Sequence, residues 1–268
     1  MPEGPECRRI AVQLAERVTN RQLLNVEILS GRYQKHGPPE GMEDILEWSP
    51  IGIFGAGVHG KFIFVLLEGE WSIWSTLGMT GRWSSEMTKH SRLKFSLSDG
   101  DIYFTDPRNF GTVKFVKGKD KILNKIKSLG LDMLAEKISN EDFYSIIRKE
   151  TDKPLVKVLM DQTKFSGIGN YVKAEALYLS RISPHVLCCD LSDEKLLKLK
   201  NSIELVLKES YNSGGTTIQT YSDMHGNPGN YNQKLMVYSQ KIDPTGHPVI
   251  KEVTADGRTT HWVPDVQK

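Results

Sequence analysis

The chain opens Met1-Pro2-Glu3-Gly4-Pro5-Glu6, a proline and two carboxylates within six residues. Proline is small enough for the initiator methionine to be removed ahead of it, which leaves Pro2 with a free secondary amine. An ordinary α-amino group has a pKa of ~7.7–8.0, so part of it is unprotonated near neutrality. Such an amine can attack a sugar C1′ and divide one hard substitution into easier steps. A secondary amine has no second proton to lose, so its adduct stays a cationic iminium, an electron sink for elimination. Glu3 and Glu6 stand beside it as candidate proton donors, since a carboxyl in a dry pocket has its pKa raised toward neutrality. The plain alternative is a capped helix start.

Two more segments carry polar chemistry. Phe165-Ser166-Gly167-Ile168-Gly169-Asn170-Tyr171 lies between two predicted helices. Its glycines let backbone approach a ligand closely, and the amides of the following helix N-terminus suit a phosphate. Asn170 adds a side-chain donor. A tight turn without a ligand accounts for the same residues. Near the end, Arg258 follows Asp256-Gly257 and precedes Thr259-Thr260-His261-Trp262. An arginine at a hairpin tip can grip a phosphate in two places; an inert surface arginine is the alternative.

These groups need elements to hold them. Ile10, Leu14 and Val18 repeat with helical spacing behind the two prolines, which fit a first turn. From Leu23 to Val116 short strands are predicted. Lys61–Leu67 is an apolar run, and Leu93, Phe95 and Leu97 alternate with polar neighbours. Asp99-Gly100 reads as a hairpin before Ile102 and Phe104. Together these predict a β-sandwich with a helix at its edge. Six lysines and one acid, Asp120, fall between Lys114 and Lys127; they form either a solvated helix face or a nucleic-acid-facing edge. Gly130 is a candidate hinge. Helices follow at Asn140–Lys149, around Leu155-Val158-Leu159, and around Ala174-Leu177-Tyr178. Ser192 caps a long one that buries Leu196, Leu199, Ile203, Val206 and Leu207 and ends at Gly214-Gly215. From Thr216 onward the pattern is loop and short hairpin.

The chain has 268 residues, with 38% hydrophobic and 25% charged residues. That is globular composition, and no apolar run reaches the ~18 residues of a membrane span. A net charge of +2 does not by itself announce a nucleic-acid binder. The three cysteines, Cys7, Cys188 and Cys189, form neither a disulfide framework nor a zinc pattern. The expected location is intracellular, with no membrane partner.

In combination the motifs closely resemble the formamidopyrimidine-DNA glycosylase/endonuclease VIII family. The likeness takes in Pro2–Glu6, His59-Gly60-Lys61, Leu77–Gly81, Asp106–Gly111, Gly167–Asn170, Gly214–Thr217, Gly229–Tyr238 and Gly257–Thr260, nearly the whole chain. It implies an α+β fold: a two-layer β-sandwich with flanking helices at 1–130, a helix–two-turn–helix domain at 131–230, and a β-hairpin finger at 231–268. It also implies a bifunctional DNA glycosylase and abasic-site lyase of base excision repair, acting without a cofactor by Schiff base and β,δ-elimination. On this resemblance Pro2 is the nucleophile and Glu3 the acid that assists ring opening. Glu6 plays a supporting part, and Lys61 sits near a phosphate and the damaged base. Asn170 and Arg258 clamp phosphates beside an extruded nucleotide, because a base cannot be attacked within the stack. Met79, Arg108 and Phe110 fill the gap it leaves, and His90 is a candidate phosphate contact. Taken without the family pattern, Met79 and Phe110 would read as sandwich core, yet flanking glycines place them near turns.

One departure stands out. Many relatives close the finger with four cysteines on zinc. Here Val263 and Val266 occupy one pair of positions, and Asp243-Pro244-Thr245-Gly246-His247-Pro248 has no cysteine. His247 and His261 alone are too few for a structural zinc site, so no metal is expected. Together with Gly4, where the 8-oxoguanine branch has leucine, this points to an endonuclease VIII-like member. Ser222–Tyr231 resembles the loop that covers 8-oxoguanine and points the other way. The expectation is a monomer acting on damaged double- and single-stranded DNA, with oxidised pyrimidines and hydantoins ahead of 8-oxoguanine. The alternatives are an 8-oxoguanine-preferring member and a non-catalytic nucleic-acid-binding protein.

Overall fold

The computed structural model describes residues 2–135, 138–217 and 221–268. Met1, whose removal the amine chemistry requires, lies outside the described residues. The chain forms two units: residues 1–128 with 214–230, and residues 129–213 with 231–268. The sequence places 214–230 in the helical domain. Instead this stretch packs within the first unit, through Thr216 on Glu6 and Asp223 on Gln13. Hydrogen-bond partners 210 residues apart carry no local signal.

In the first unit, α1 (Gly4–Val18) buries Ile10, Leu14 and Val18 as its spacing requires. Full burial of such a side chain stabilises by about 1.5–3 kcal/mol. The strands are β1 (Gln22–Ile28), β2 (Ile51–His59), β3 (Phe62–Leu67), β4 (Trp71–Thr76), β5 (Arg82–Ser84), β6 (Ser91–Leu97), β7 (Gly100–Thr105) and β8 (Thr112–Lys117). They hydrogen-bond in the order β5-β7-β6-β1-β2-β3-β4-β8. The β1–β2 join is short, Gln22↔Gly52 and Leu23↔Ile51, and there the order folds into two four-stranded layers. Alternate residues face inward: Ile63, Val65, Ile73, Phe95, Phe104 and Phe115 are at most 3% exposed. Trp83 lies 4.9 Å from Phe95 and 5.6 Å from Phe104, ring centre to ring centre.

Two local readings change. Two short helices, α2 (Arg32–His36) and α3 (Met42–Leu46), interrupt the predicted run of strands. Five residues are too few to show a helical period against surrounding alternation. In the β6–β7 hairpin the loop is Ser98-Asp99, one residue earlier than the sequence predicts, because Gly100 pairs with Leu97. Asp99 is held by Arg17 and Arg21, and the two guanidiniums keep its carboxyl below the ordinary range. The lysine-rich segment after β8 is α4 (Lys119–Lys127), whose one buried residue is Ile122.

The second unit is mainly helical. A two-strand contact joins β9 (Leu131–Asp132) to β10 (Phe165–Ser166). The helices are α5 (Asn140–Arg148), α6 (Leu155–Met160), α7 (Asn170–Leu179) and α8 (Asp193–Asn212). Ser192 caps α8, its Oγ accepting the Lys195 N–H, and Gly214 and Gly215 follow at φ +80° and +91°. The hairpin of β11 (Ile250–Val253) and β12 (Thr259–Trp262) completes the unit. Among the described residues no helix is long and apolar enough to cross a membrane.

Candidate active site

The first unit holds the N-terminal groups at the start of α1. Glu3 is its N-cap, and a reciprocal pair fixes the turn. The Glu3 side chain accepts the Glu6 backbone N–H, while Glu6 Oε2 accepts the Glu3 N–H at 2.7 Å. Glu6 Oε1 accepts the Thr216 N–H, also at 2.7 Å. Pro2 is buried, and Glu3 and Glu6 are only 2% and 1% exposed. Glu6 therefore spends both carboxylate oxygens on backbone N–H groups. Gly215 makes this packing possible: a Cβ there would lie 3.0 Å from Glu6 Cγ and from the Tyr221 ring. Burial pushes the Tyr221 phenol up, and the Glu6 charge adds to the effect.

Lys61 and Gly60 form the two-residue loop between β2 and β3, with Gly60 at φ +57° and His59 paired to Phe62. Lys61 is half-buried. Met79 sits half-buried in the turn from Leu77 to Gly81, closed by Gly81 N–H on the Leu77 carbonyl at 2.7 Å. Phe110 is 54% exposed. The Arg108 guanidinium lies 4.9 Å from the Phe110 ring centre, a cation–π contact. The core reading of Met79 and Phe110 does not hold. His90 is half-buried just before β6. The two apolar turns touch: a Cβ on Gly78 would come within 2.7 Å of the Phe110 carbonyl carbon.

The second unit brings Asn170 and Arg258 together. Asn170 begins α7 behind Gly169, and its Nδ2 donates to the Thr259 carbonyl at 2.8 Å. Its Oδ1 is buried with no hydrogen-bond partner among the described residues. The preceding loop is braced by Gln162, whose Nε2 donates to the Ile168 carbonyl at 2.9 Å while its Oε1 accepts the Gly167 N–H at 3.1 Å. Arg258 is exposed in the hairpin turn, with no carboxylate on its guanidinium among the described residues. The turn is set by Asp256, which accepts from the Thr254 hydroxyl at 2.6 Å and from the Lys173 ammonium at 2.5 Å. Both ends of that ion pair are buried, at 0% and 3% side-chain exposure.

Sequence reasoning missed Gln162, Lys173 and Glu175. Glu175 is fully buried and accepts the N–H groups of Met236, Val237 and Tyr238 at 2.7–2.9 Å. Burial raises its carboxyl pKa against those three donors. The available signal was a lysine and a glutamate inside the otherwise apolar α7. Val263 is fully buried with Ala174, Tyr178 and Val237, and Val266 packs against them. Asp243 accepts the N–H groups of Thr245 and His247, the Thr245 hydroxyl, and the Tyr178 hydroxyl at 3.0 Å. Burial works to raise the Asp243 carboxyl, but these donors outweigh it and hold it at about 2. Among the described residues no cluster of His, Cys, Asp and Glu could hold a metal ion.

Three descriptions cover the chain in order: formamidopyrimidine-DNA glycosylase N-terminal domain at residues 1–113, its H2TH domain at 129–222, and its C-terminal domain at 225–268. A formamidopyrimidine-DNA glycosylase of Thermus thermophilus is 33% identical over 274 residues, 100% of this chain and 98% of that protein. Among solved structures, wild-type Lactococcus lactis Fpg (MutM) with DNA containing N7-benzyl-Fapy-dG has a TM-score of 0.87 at 26% identity, covering 100% of both chains. The same Lactococcus lactis protein with DNA containing an oxidised pyrimidine has a TM-score of 0.85 at 26% identity, again over 100% of both chains.

Proposed function

The chain belongs to the formamidopyrimidine-DNA glycosylase family, DNA glycosylases of base excision repair, and on that premise we propose that Pro2 is the nucleophile of a bifunctional glycosylase and lyase. The observation that carries this reading is the first turn of α1, a buried Pro2 followed by two buried carboxylates. The Pro2 nitrogen attacks C1′. The C1′–base bond breaks with its electron pair leaving on the base, which takes up the proton the Pro2 amine loses; Glu3 protonates the ring oxygen as the sugar opens, and an iminium remains. The cation drains electrons from C2′, so loss of a C2′ proton expels the 3′-phosphate. A second elimination expels the 5′-phosphate, and water then releases Pro2.

Lys61 acts beside the damaged base, and Asn170, Arg258 and His90 contact phosphates. Met79, Arg108 and Phe110 enter the stack where the base has left. The exposed Phe110 ring next to the half-buried Met79 turn supports this role, since both can reach a base step as an apolar wedge. We read the finger as zincless, closed by Val263 and the Asp243 turn, and the protein as an endonuclease VIII-like monomer. Oxidised pyrimidines and hydantoins are then removed ahead of 8-oxoguanine, on single strands as well as duplexes. Gly4 supports this preference. A second reading, preference for 8-oxoguanine or formamidopyrimidine lesions, is favoured by the relatives' names and by the firm docking of 221–229 in the first unit. There Asp223 accepts from Gln13 at 2.9 Å, and Met224 is 2% exposed.

Borohydride trapping tests the chemistry. Protein lacking Met1 should form a covalent adduct with damaged DNA, and protein retaining Met1 should form none. Pro2→Gly should trap less. Full activity with Met1 retained refutes the amine mechanism. Absence of any adduct leaves the non-catalytic binding protein. Single-turnover rates on matched duplexes rank the lesions: faster cutting of 8-oxoguanine opposite cytosine than of thymine glycol selects the second reading.

A further inference from the structure

Four of the groups assigned to the duplex sit on three separate segments: Met79 on the β4–β5 turn, His90 ahead of β6, and Arg108 and Phe110 after β7. One buried residue connects all three, its side chain joining the two turns and its backbone the His90 segment. Asp106 is 1% exposed. Its Oδ1 accepts the Thr80 hydroxyl at 2.5 Å and the Arg108 N–H at 3.2 Å. Its Oδ2 accepts the Gly111 N–H at 2.7 Å. The Thr80 hydroxyl in turn accepts the Arg108 N–H at 3.1 Å. On the backbone, Asp106 N–H donates to the His90 carbonyl at 3.0 Å, and its own carbonyl accepts Arg92 Nε at 2.8 Å. Asn109 is held left-handed, at φ +60°, between Arg108 and Phe110. Arg32 steadies it by donating to the Asn109 and Gly111 carbonyls at 3.5 and 3.3 Å.

We propose that Asp106 is a positioning residue that locks the two apolar turns and the His90 segment into one preformed wedge. The inference rests on the reading of Met79, Arg108 and Phe110 as the groups that enter the stack. A wedge works only if it is stiffer than the base step it opens. Opening a step requires a few kcal/mol of unstacking, and a turn free to fold back would yield first. The carboxylate suits this task because every donor around it points inward. An amide in its place keeps one acceptor oxygen, so either the Gly111 N–H or the Thr80 and Arg108 donors lose their acceptor.

The consequence is selective. Attack on a base that must first be extruded depends on the wedge, while attack on a sugar aldehyde already free in a single strand does not. Asp106→Asn should therefore slow excision of thymine glycol from a duplex by about tenfold to a hundredfold, the loss of a charged hydrogen-bond set. Cleavage of a preformed abasic site in a single strand should stay within about twofold. Thr80→Val should show the same split more weakly, and Thr80→Ser, which keeps the hydroxyl, should restore the duplex rate. If Asp106→Asn fails to fold, the Thr80 pair decides. Equal losses on both substrates would reduce Asp106 to a general structural residue and overturn the proposal, as would an unchanged duplex rate. If the unsubstituted protein cleaves neither substrate, the amine chemistry itself is wrong and the inference falls with it.

Discussion

Replacing Asp256 by asparagine takes the counter-charge from Lys173, whose side chain is fully buried. At 2.5 Å and an effective dielectric of ~20, the gross attraction is roughly 6–7 kcal/mol. Stripping water from the two ions consumes several kcal/mol each, so the intact pair contributes little net stability. Breaking the pair is another matter: removing one partner of a buried ion pair costs about 3–5 kcal/mol. The loss should concentrate in the hairpin turn, because Asp256 also holds the Thr254 hydroxyl and the Arg258 N–H. Amide hydrogen exchange over 250–262 is the direct assay. Asp256→Asn should lower protection there by about two to four orders of magnitude, the same energy expressed as an opening constant. Adding Lys173→Met removes the buried ammonium as well and should return part of the protection. If Asp256→Asn changes protection less than about tenfold, or the double variant is no better than the single, the pair does not hold the turn.

Arg258→Ala should weaken DNA binding and reduce the slope of log K against log salt by about one unit, as for one lost phosphate contact; an unchanged slope removes Arg258 from the clamp. Val263→Ala should cost roughly 2 kcal/mol of stability, two methyl groups at ~0.8 kcal/mol each plus a small cavity. Chelators should leave activity intact, and metal analysis should find no stoichiometric zinc. The Asp243 carboxyl sits at about 2, below the ~3.9 of an unfolded aspartate. A depressed carboxyl contributes stability that is full above the unfolded value and is lost as pH falls toward the folded one. Denaturation midpoints should therefore drop between about pH 4 and pH 2, and Asp243→Asn should flatten that drop while lowering the plateau.

How far the sequence was legible depends on how local each cause is. Ile10-Leu14-Val18 and the Ser192 cap act within a turn or two, and both elements stand where their spacing puts them. The Gly257-Arg258 turn and the Gly169-Asn170 helix start were equally readable. What stayed hidden is long-range and polar. Lys173 finds Asp256 at a separation of 83 residues, and Asn170 finds Thr259 at 89. A lysine on a helix reads as solvent-facing until its partner is known. Asp106 was visible as part of a motif, but its four-way bonding depends on three strand ends meeting, which alternation cannot forecast.

The return of residues 214–230 to the first unit bears on how the protein can be made. On the ribosome, α1 emerges well before the Thr216 amide that closes on Glu6, which is translated 210 residues later. The sandwich can form early, but its N-terminal turn must wait with one Glu6 oxygen in water until the helical stretch has been synthesised. The second unit is equally discontinuous and cannot finish before 231–268 has been synthesised. Neither unit is a contiguous piece that can be cut out and expressed. A fragment ending at residue 128 would carry Pro2, Glu3 and Glu6 in order while lacking the strand of chain that holds them still.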